Sequence, residues 1–166
     1  MKKVILMPAL VLFISCIEDK SKRPSPPGTI NETTTSGQVI GIDYSKPGVK
    51  NREIGKDIAP YGQVWRTGAN EATVFEISKD AKIEGKDLPA GRYSLYSIPG
   101  KDQWVFIFNK AWDQWGTEYD QKEDALRVPV TTGRSPQFME RMTFAIDKNG
   151  KVSLMWGDME ADFHVQ

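Results

Sequence analysis

Short apolar–polar alternations separated by turn residues are the feature that most constrains the fold of this chain. A period of two places successive side chains on opposite faces of a strand, and turn residues between such runs mark reversals of the chain. The runs cover residues 38–44, 72–78, 81–84, 92–98, 103–109, 125–132, 137–147, 152–156 and 161–165. About eight or nine short strands with regular turn signals predict an all-β fold, either an antiparallel β-sandwich or a jelly-roll.

Two local features of the sequence predict the positions of particular strands. Residues 103–109 are apolar on both faces, which is typical of a central strand that is covered on both sides. Asn149-Gly150 separates the runs 137–147 and 152–156, and this dipeptide favours a type I′ hairpin because both residues tolerate a positive φ. The C-terminal third is therefore predicted to form a hairpin followed by a last strand.

The N-terminal segment has the layout of a secretory signal. Two lysines precede an apolar stretch over residues 4–14, which is too short to cross a bilayer because a spanning helix needs about 20 apolar residues. The sequence Phe-Ile-Ser-Cys at 13–16 resembles the lipobox of bacterial lipoproteins, in which the cysteine thiol is acylated with diacylglycerol and becomes the mature N-terminus. Residues 1–15 are thus predicted to be a lipoprotein signal peptide, and Cys16 the lipid anchor.

One position departs from the lipobox pattern, since Phe13 stands where leucine is usual. The alternatives are ordinary signal cleavage that leaves an unmodified cysteine, or a cysteine buried for structural reasons.

Several acyl chains on Cys16 would anchor the protein stably, whereas a single chain binds a membrane only marginally. The expected location is the bacterial cell envelope, with the protein facing the periplasm or the cell surface and the membrane as its partner.

Charge and composition exclude several function classes. The whole chain has 22 basic and 22 acidic residues, and removal of residues 1–15 takes away two lysines, which leaves 20 − 22 = −2. Nucleic-acid binding is not expected, because it requires a basic excess. One cysteine and one histidine leave no intramolecular disulfide, cysteine-cluster zinc site or multi-histidine metal centre, so neither a metal nor another cofactor is predicted.

A linker is predicted between the anchor and the folded part. Residues 16–36 are rich in proline, threonine and charged residues and have almost no apolar side chains. Such a composition cannot bury enough surface to fold, so the segment is predicted to be a disordered tether. Residues 37–166 then form a single β-sandwich domain, whose length is sufficient for a self-supporting core.

Two segments interrupt the strand pattern and concentrate aromatic and polar residues, residues 60–72 and residues 108–116. They supply the candidate ligand-binding residues Trp65, Arg66, Asn70, Glu71, Trp112 and Trp115. The last two tryptophans are three positions apart, so they would share a face if the segment forms a helical turn.

The motifs YGQVWRTGANEAT (61–73), LPAGRYSLYSIPG (88–100) and FNKAWDQWG (108–116) occur in this order. Their sequence and spacing resemble the bacterial family called domain of unknown function 2911, and the resemblance extends from about residue 37 to the C-terminus. It implies a small secreted or lipid-anchored all-β domain of the kind frequent in Bacteroidetes-like bacteria. It implies no particular reaction or ligand.

Each candidate residue also has a structural interpretation. Arg66 can offer a planar fork of donors to a carboxylate or phosphate, but an internal ion pair with Glu71 or Glu76 is the favoured reading. Asn70 is expected to stabilise a turn through backbone hydrogen bonds. The tryptophans can stack on a sugar ring or, as the favoured alternative, seal one end of the sandwich.

Three functions are consistent with these features. The first is a non-enzymatic ligand-binding or interaction module of the envelope, with a carbohydrate or a peptide as the ligand. The second is a carboxylate-based hydrolase, in which Glu71 would act as a general acid and Asp113 is its nearest candidate partner. Because the sequence does not fix the distance between these two carboxylates, no catalytic residue is assigned. The third is a purely structural envelope protein. The first is preferred, and no enzymatic activity is assigned.

Overall fold

The computed structural model describes residues 19–166, and within them the fold is all-β with no α-helix. Two 3₁₀ turns lie at Lys20–Lys22 and Gln121–Glu123. The strands are β1 (Pro27–Thr33), β2 (Val39–Ser45), β3 (Val74–Ile77), β4 (Ala81–Ile83), β5 (Lys86–Leu88), β6 (Gly91–Ile98), β7 (Gln103–Asn109), β8 (Asp124–Ile146) and β9 (Lys151–His164). This confirms the predicted all-β class.

Seven strands form one antiparallel sheet in the order β1-β2-β3-β6-β7-β8-β9, and β4 and β5 form a separate hairpin. Strand β8 changes its partner along its length. As far as Thr131 it pairs with β7, and from Thr132 onward it pairs with β9. Because one long strand belongs to both halves, the sheet curls and its two halves pack face to face in a sandwich-like fold.

Aromatic contacts across the core show this packing. Tyr44 of β2 meets Phe144 of β8 edge-to-face at 5.0 Å between ring centroids, and Phe75 of β3 meets Phe163 of β9 at 5.8 Å. These strands are not neighbours in the sheet, so the contacts close the curl. Strand β7 lies between β6 and β8, and its residues 106–109, which alternate between the two faces, are all buried, which confirms the predicted central strand.

The predicted tether is wrong for its folded part. Pro27–Thr33 pairs along its whole length with β2, from Pro27 opposite Ser45 to Thr33 opposite Val39. An edge strand obtains its backbone hydrogen bonds from one neighbour and exposes one face, so a polar composition does not prevent it from forming. The folded domain therefore begins before residue 37. The predicted signal peptide and Cys16 lie outside the described residues.

The predicted turn at 149–150 has a different geometry. Only Gly150 of the pair has a positive φ, of 86°, whereas a type I′ turn requires two such residues. The Asp147 side chain accepts hydrogen bonds from the backbone N–H groups of Asn149 and Lys151, at 2.8 and 3.0 Å. This carboxylate stabilises a longer loop, in which the Gly150 N–H donates to the Asp147 carbonyl.

Three strand boundaries also differ from the prediction. The runs 125–132 and 137–147 belong to the single strand β8, and the runs 152–156 and 161–165 are joined in β9 except for its last residue. Residues 86–88, which lie between the predicted strands 81–84 and 92–98, form β5. Irregular pairing between β8 and β9 explains the apparent breaks, because the register shifts twice after Arg134.

Candidate functional site

The six sequence-predicted residues do not line one concave site, because Trp65 and Arg66 line one cavity and Glu71 lines another. Trp65 packs in an aromatic cluster, where its ring is stacked on Trp156 at 5.2 Å with an interplanar angle of 6°. Its other neighbour, Trp104, meets it edge-to-face at 6.2 Å. Much of the Trp65 ring surface is thereby used in packing against the core.

Arg66 is half-buried and lines a cavity of about 340 Å³ together with Tyr96 and Tyr119. Within residues 19–166 its guanidinium makes no hydrogen bond or ion pair. The predicted ion pair with Glu71 or Glu76 is wrong, because Glu71 binds two cations from the N-terminal segment and Glu76 pairs with Arg92 at 2.9 Å. Arg66 is therefore available to a ligand.

Among the residues that line this cavity, Arg66 carries the charge, and the side chains of Tyr96 and Tyr119 are neutral. Tyr119 donates a hydrogen bond to Asp124 at 2.7 Å and accepts one from Arg127 at 2.7 Å. Burial, followed by the hydrogen bond to Asp124, raises the pKa of Tyr119 to about 12, and burial also raises the pKa of Tyr96. Both phenols stay protonated at neutral pH, so neither serves as a general base there.

Glu71 is the centre of an ion-pair cluster that we call the Glu71 cluster, consisting of Lys20, Arg23 and Glu71. The Lys20 ammonium donates to Glu71 at 2.9 Å, and Arg23 Nη1 donates to both carboxylate oxygens at 3.0 Å. The hydrogen bond from Lys20 makes the largest contribution to lowering the pKa of Glu71 to about 2. A general acid needs a raised pKa, so this environment is opposite to the one the hydrolase hypothesis requires.

Asn70 has a structural role, but through long-range contacts and not through the predicted local backbone hydrogen bonds. Its φ is +59°, a left-handed conformation that asparagine tolerates better than most residues. The side-chain amide donates to the Ser25 carbonyl at 3.2 Å and to the Ser45 hydroxyl at 3.3 Å. These bonds attach the N-terminal segment to the bend that precedes β3.

Trp112 and Trp115 are partly exposed, at 37% and 45%. The segment that holds them is an irregular loop, so the two rings do not share the face of a helical turn. The Trp112 ring covers the Arg92 guanidinium at 5.1 Å, and the Trp115 backbone forms a bridge with Glu71. Both indoles therefore present surface outside the core, beside the Glu71 cluster and the outward-facing side of β6.

A larger cavity of about 490 Å³ opens where β8 and β9 pair irregularly, and we call it the β8–β9 cleft. Arg134 pairs with Met159 and Met139 with Gly157, so four residues of β8 lie opposite a single residue of β9. Such bulges bend a strand and redirect its side chains. Here Phe138 is redirected outward and is 56% exposed at the cleft.

The floor of the cleft is apolar and close-fitting. Ile54, Met159 and Trp104 line it with Phe138. Gly157 contributes bare backbone with φ of +58°, and a Cβ there would lie 3.0 Å from Ile54 Cδ1. A side chain at this position would be strained and would take space from the cleft.

The rim of the cleft carries charges that are largely unpaired. Lys101, Arg134 and Asp158 form no ion pair within residues 19–166, and Arg52 donates only to the carbonyls of residues 48 and 49. Three cations thus face one carboxylate.

Trp104 contributes buried indole surface to the floor of the cleft. The residue is 1% exposed, and its indole Nε1 has no hydrogen-bond partner in the described part of the chain. The cleft therefore combines an apolar floor and a cationic rim, which suits an anionic ligand with an apolar part.

Residues 25–165 match the family described as Protein of unknown function (DUF2911). The chain belongs to this family. The match covers β1 and all residues of the β8–β9 cleft, as well as the six residues singled out in the sequence. No curated protein and no solved structure has a significant match to the chain.

Two further properties of this DUF2911 chain bear on its chemistry. Among the described residues, no group of three or more His, Cys, Asp or Glu side chains is placed to hold a metal ion. In the same part of the chain, no helix has the length and apolar character needed to cross a bilayer.

Sequence reasoning did not identify the β8–β9 cleft. Its residues come from four separate parts of the chain, and no local motif joins them. The available signal was the break at residues 133–136 between two predicted strands, which is where the bulge of β8 begins.

Proposed function

We propose that the protein is an envelope lipoprotein that binds, without catalysis, a carboxylate-bearing carbohydrate or peptide in the β8–β9 cleft. One observation carries this proposal. The rim has three cations, of which Lys101 and Arg134 have no partner within residues 19–166, and it surrounds an apolar floor. Charges that a fold leaves unpaired around a concave surface contribute little to folding and are available for recognition.

The chemistry of the cleft supports a carboxylate ligand. The Arg134 guanidinium can bind a carboxylate through two parallel hydrogen bonds, and Lys101 supplies a second positive charge. Phe138 and Tyr61 provide aromatic surface against which a sugar ring or an aliphatic side chain packs. The volume of about 490 Å³ is in the range of roughly 300–1,000 Å³ that is usual for small-ligand sites.

The envelope location rests on the sequence. The lipobox-like residues 13–16 and the apolar stretch before them favour acylation of Cys16. The catalytic alternative has less support, because the pKa of Glu71 is lowered to about 2 and the carboxylate stays ionised. A purely structural role would not account for the unpaired charges at the rim of the cleft.

Calorimetric titration of the full-length protein in detergent tests the binding proposal. The probes are an oligogalacturonate and an acetylated tripeptide with a free C-terminal carboxylate. Their controls are the methyl-esterified oligosaccharide and the amidated tripeptide. We expect one acidic probe to bind and its neutral counterpart to bind at least tenfold more weakly, and equal affinities for each pair would contradict the proposal.

A separate experiment tests the anchor. Intact-mass analysis of the membrane fraction should show a diacylglycerol-modified chain that begins at Cys16, and Cys16→Ser should release the protein into the soluble fraction. Membrane retention of the Cys16→Ser protein would contradict lipid anchoring at this residue.

A further inference from the structure

Two partly exposed tryptophans lie on one loop, and the function proposed above does not use them. Trp115 is 45% exposed and Trp112 is 37% exposed. Each indole has a large apolar surface and a polar N–H group, a combination that is favourable at a lipid–water boundary.

The loop lies beside the point where the chain leaves the fold toward Cys16. Glu71 forms a backbone bridge with Trp115, and its carboxylate binds Lys20 at 2.9 Å and Arg23 at 3.0 Å. The N-terminal segment is therefore fixed to the domain at residue 20, immediately next to the tryptophan loop.

Chain geometry limits how far this point can lie from the anchor. Cys16 and Asp19 are three Cα–Cα steps apart, which span at most about 11 Å when fully extended. A lipid anchor at Cys16 would thus hold the Lys20 region close to the bilayer surface. The tether predicted over residues 16–36 would have held the domain much farther away.

We infer that Trp112 and Trp115 are inserted in the lipid–water interface of the membrane that holds Cys16. This inference rests on the lipid anchor of the proposed function. The acyl chains restrict the domain to the surface, and the two indoles orient it, so the anchor and the loop act as two membrane signals.

Charge near the loop favours apolar insertion over attraction to anionic lipids. Lys20 is paired with Glu71, Lys22 lies 3.5 Å from Asp19, and Arg92 is paired with Glu76. The local charges are largely neutralised within the chain. Docking should therefore depend little on salt or on the content of anionic lipid.

Site-specific spin labelling tests the inference on the full-length, acylated protein in phosphatidylcholine vesicles. The chain has one cysteine, and acylation blocks its thiol, so an introduced cysteine is the single labelling site. The test positions are Trp115→Cys and, as a second variant, Trp112→Cys. Accessibility of each nitroxide to oxygen and to a water-soluble nickel complex reports its depth.

The control is Asn149→Cys at the far end of the domain. Asn149 is exposed in the β8–β9 loop, where Lys148 contacts Thr33, the last residue of β1. Strand β1 spans about 20 Å from its first to its last residue, and its first residue is on the anchor side.

The inference predicts an oxygen-to-nickel accessibility ratio several-fold higher at 115 and 112 than at 149, unchanged by 0.5 M salt. Ratios at 115 and 112 as low as at 149, in a protein that carries the diacylglycerol modification and stays with the vesicles, would overturn the docking and leave the anchor intact. Absence of the modification would overturn both. Retained thermal unfolding midpoints show that the labelled variants are folded.

Discussion

The Glu71 cluster and the β8–β9 cleft both concentrate charged residues beside tryptophans, but the charges are paired within the fold in the cluster and are largely unpaired in the cleft. In the cluster, the Glu71 carboxylate binds Lys20 and Arg23, and the pairs connect residues 48 and 51 positions apart. In the cleft, Lys101 and Arg134 have no partner within residues 19–166.

The difference teaches that the density of charged and aromatic residues in a motif does not identify a ligand site. The motif around Glu71 is conspicuous in the sequence, but its carboxylate fixes the N-terminal segment to the domain. The cleft residues are inconspicuous in the sequence, but the fold leaves them facing a concavity. Pairing within the fold, which depends on long-range contacts, separates a structural charge from one that is available to a ligand.

The largest effect should come from the aromatic cluster of Trp65, Trp104 and Trp156. Trp65→Ala removes a ring stacked on Trp156 and in contact with Trp104, so we expect a loss of about 3 kcal/mol in the free energy of unfolding. Trp115→Ala is the matched control and should change it by less than about 0.5 kcal/mol, because that ring is 45% exposed. Urea unfolding measures both changes in the free energy of unfolding. Equal losses would contradict the conclusion that Trp65 is a core residue and Trp115 a surface residue.

The floor of the cleft should be the next most sensitive position. Gly157→Ala places a Cβ at a φ of +58° and 3.0 Å from Ile54 Cδ1, which should cost about 1–2 kcal/mol of stability. Gly85→Ala is the control, since it has a φ of +78° but open space around the added carbon. In urea unfolding, a greater loss of stability in Gly157→Ala than in Gly85→Ala would measure the cost of the contact with Ile54. Equal losses would mean that the floor of the cleft is not close-packed.

The Glu71 cluster should contribute a smaller amount that depends on pH. Glu71→Gln is expected to lower the free energy of unfolding at pH 7 by about 1 kcal/mol, as for partly exposed ion pairs. The folded-state pKa of about 2 lies below the ordinary value of 4.5, so the contribution is complete above pH 4.5 and is lost as the pH falls toward 2. Denaturant unfolding at pH 7, 4 and 2.5 should show the two proteins converging, and a constant difference would refute the ion-pair explanation.

The smallest effect on stability is expected at the rim of the cleft. Arg134→Gln should change the free energy of unfolding by less than about 0.5 kcal/mol, because the side chain is exposed and has no ion pair within residues 19–166. Arg23→Gln is the comparison, since its side chain is 16% exposed and binds Glu71. If Arg134→Gln proved as destabilising as Arg23→Gln, the distinction between paired and available charges would fail.

Sequence alone predicted the all-β class because alternation with period two is a local property of each strand. It failed for β1, since the polar residues of Pro27–Thr33 fold only through pairing with β2. The wrong partner for Arg66 has a related cause. Glu71 is five positions away in sequence, but it binds cations from a segment that composition assigned to a disordered tether.

The β8–β9 cleft could not be predicted for a geometric reason. Its concavity arises where β8 has more residues than β9 between two paired positions, from Arg134 to Met139. Register is a property of two strands together, so neither strand's own pattern contains it. The break at residues 133–136 indicated only that the alternation stops.

The central claim is that the unpaired cations of the cleft bind a ligand carboxylate. Calorimetric titration with the acidic probe that binds best compares wild type, the double variant Lys101→Gln/Arg134→Gln, and the exposed control Lys110→Gln. Each lost charge-assisted hydrogen bond is worth about 1.5–3 kcal/mol, so the double variant should lose roughly hundredfold or more in affinity while the control keeps the wild-type value. Wild-type affinity in the double variant, or equal losses in both variants, would contradict the account.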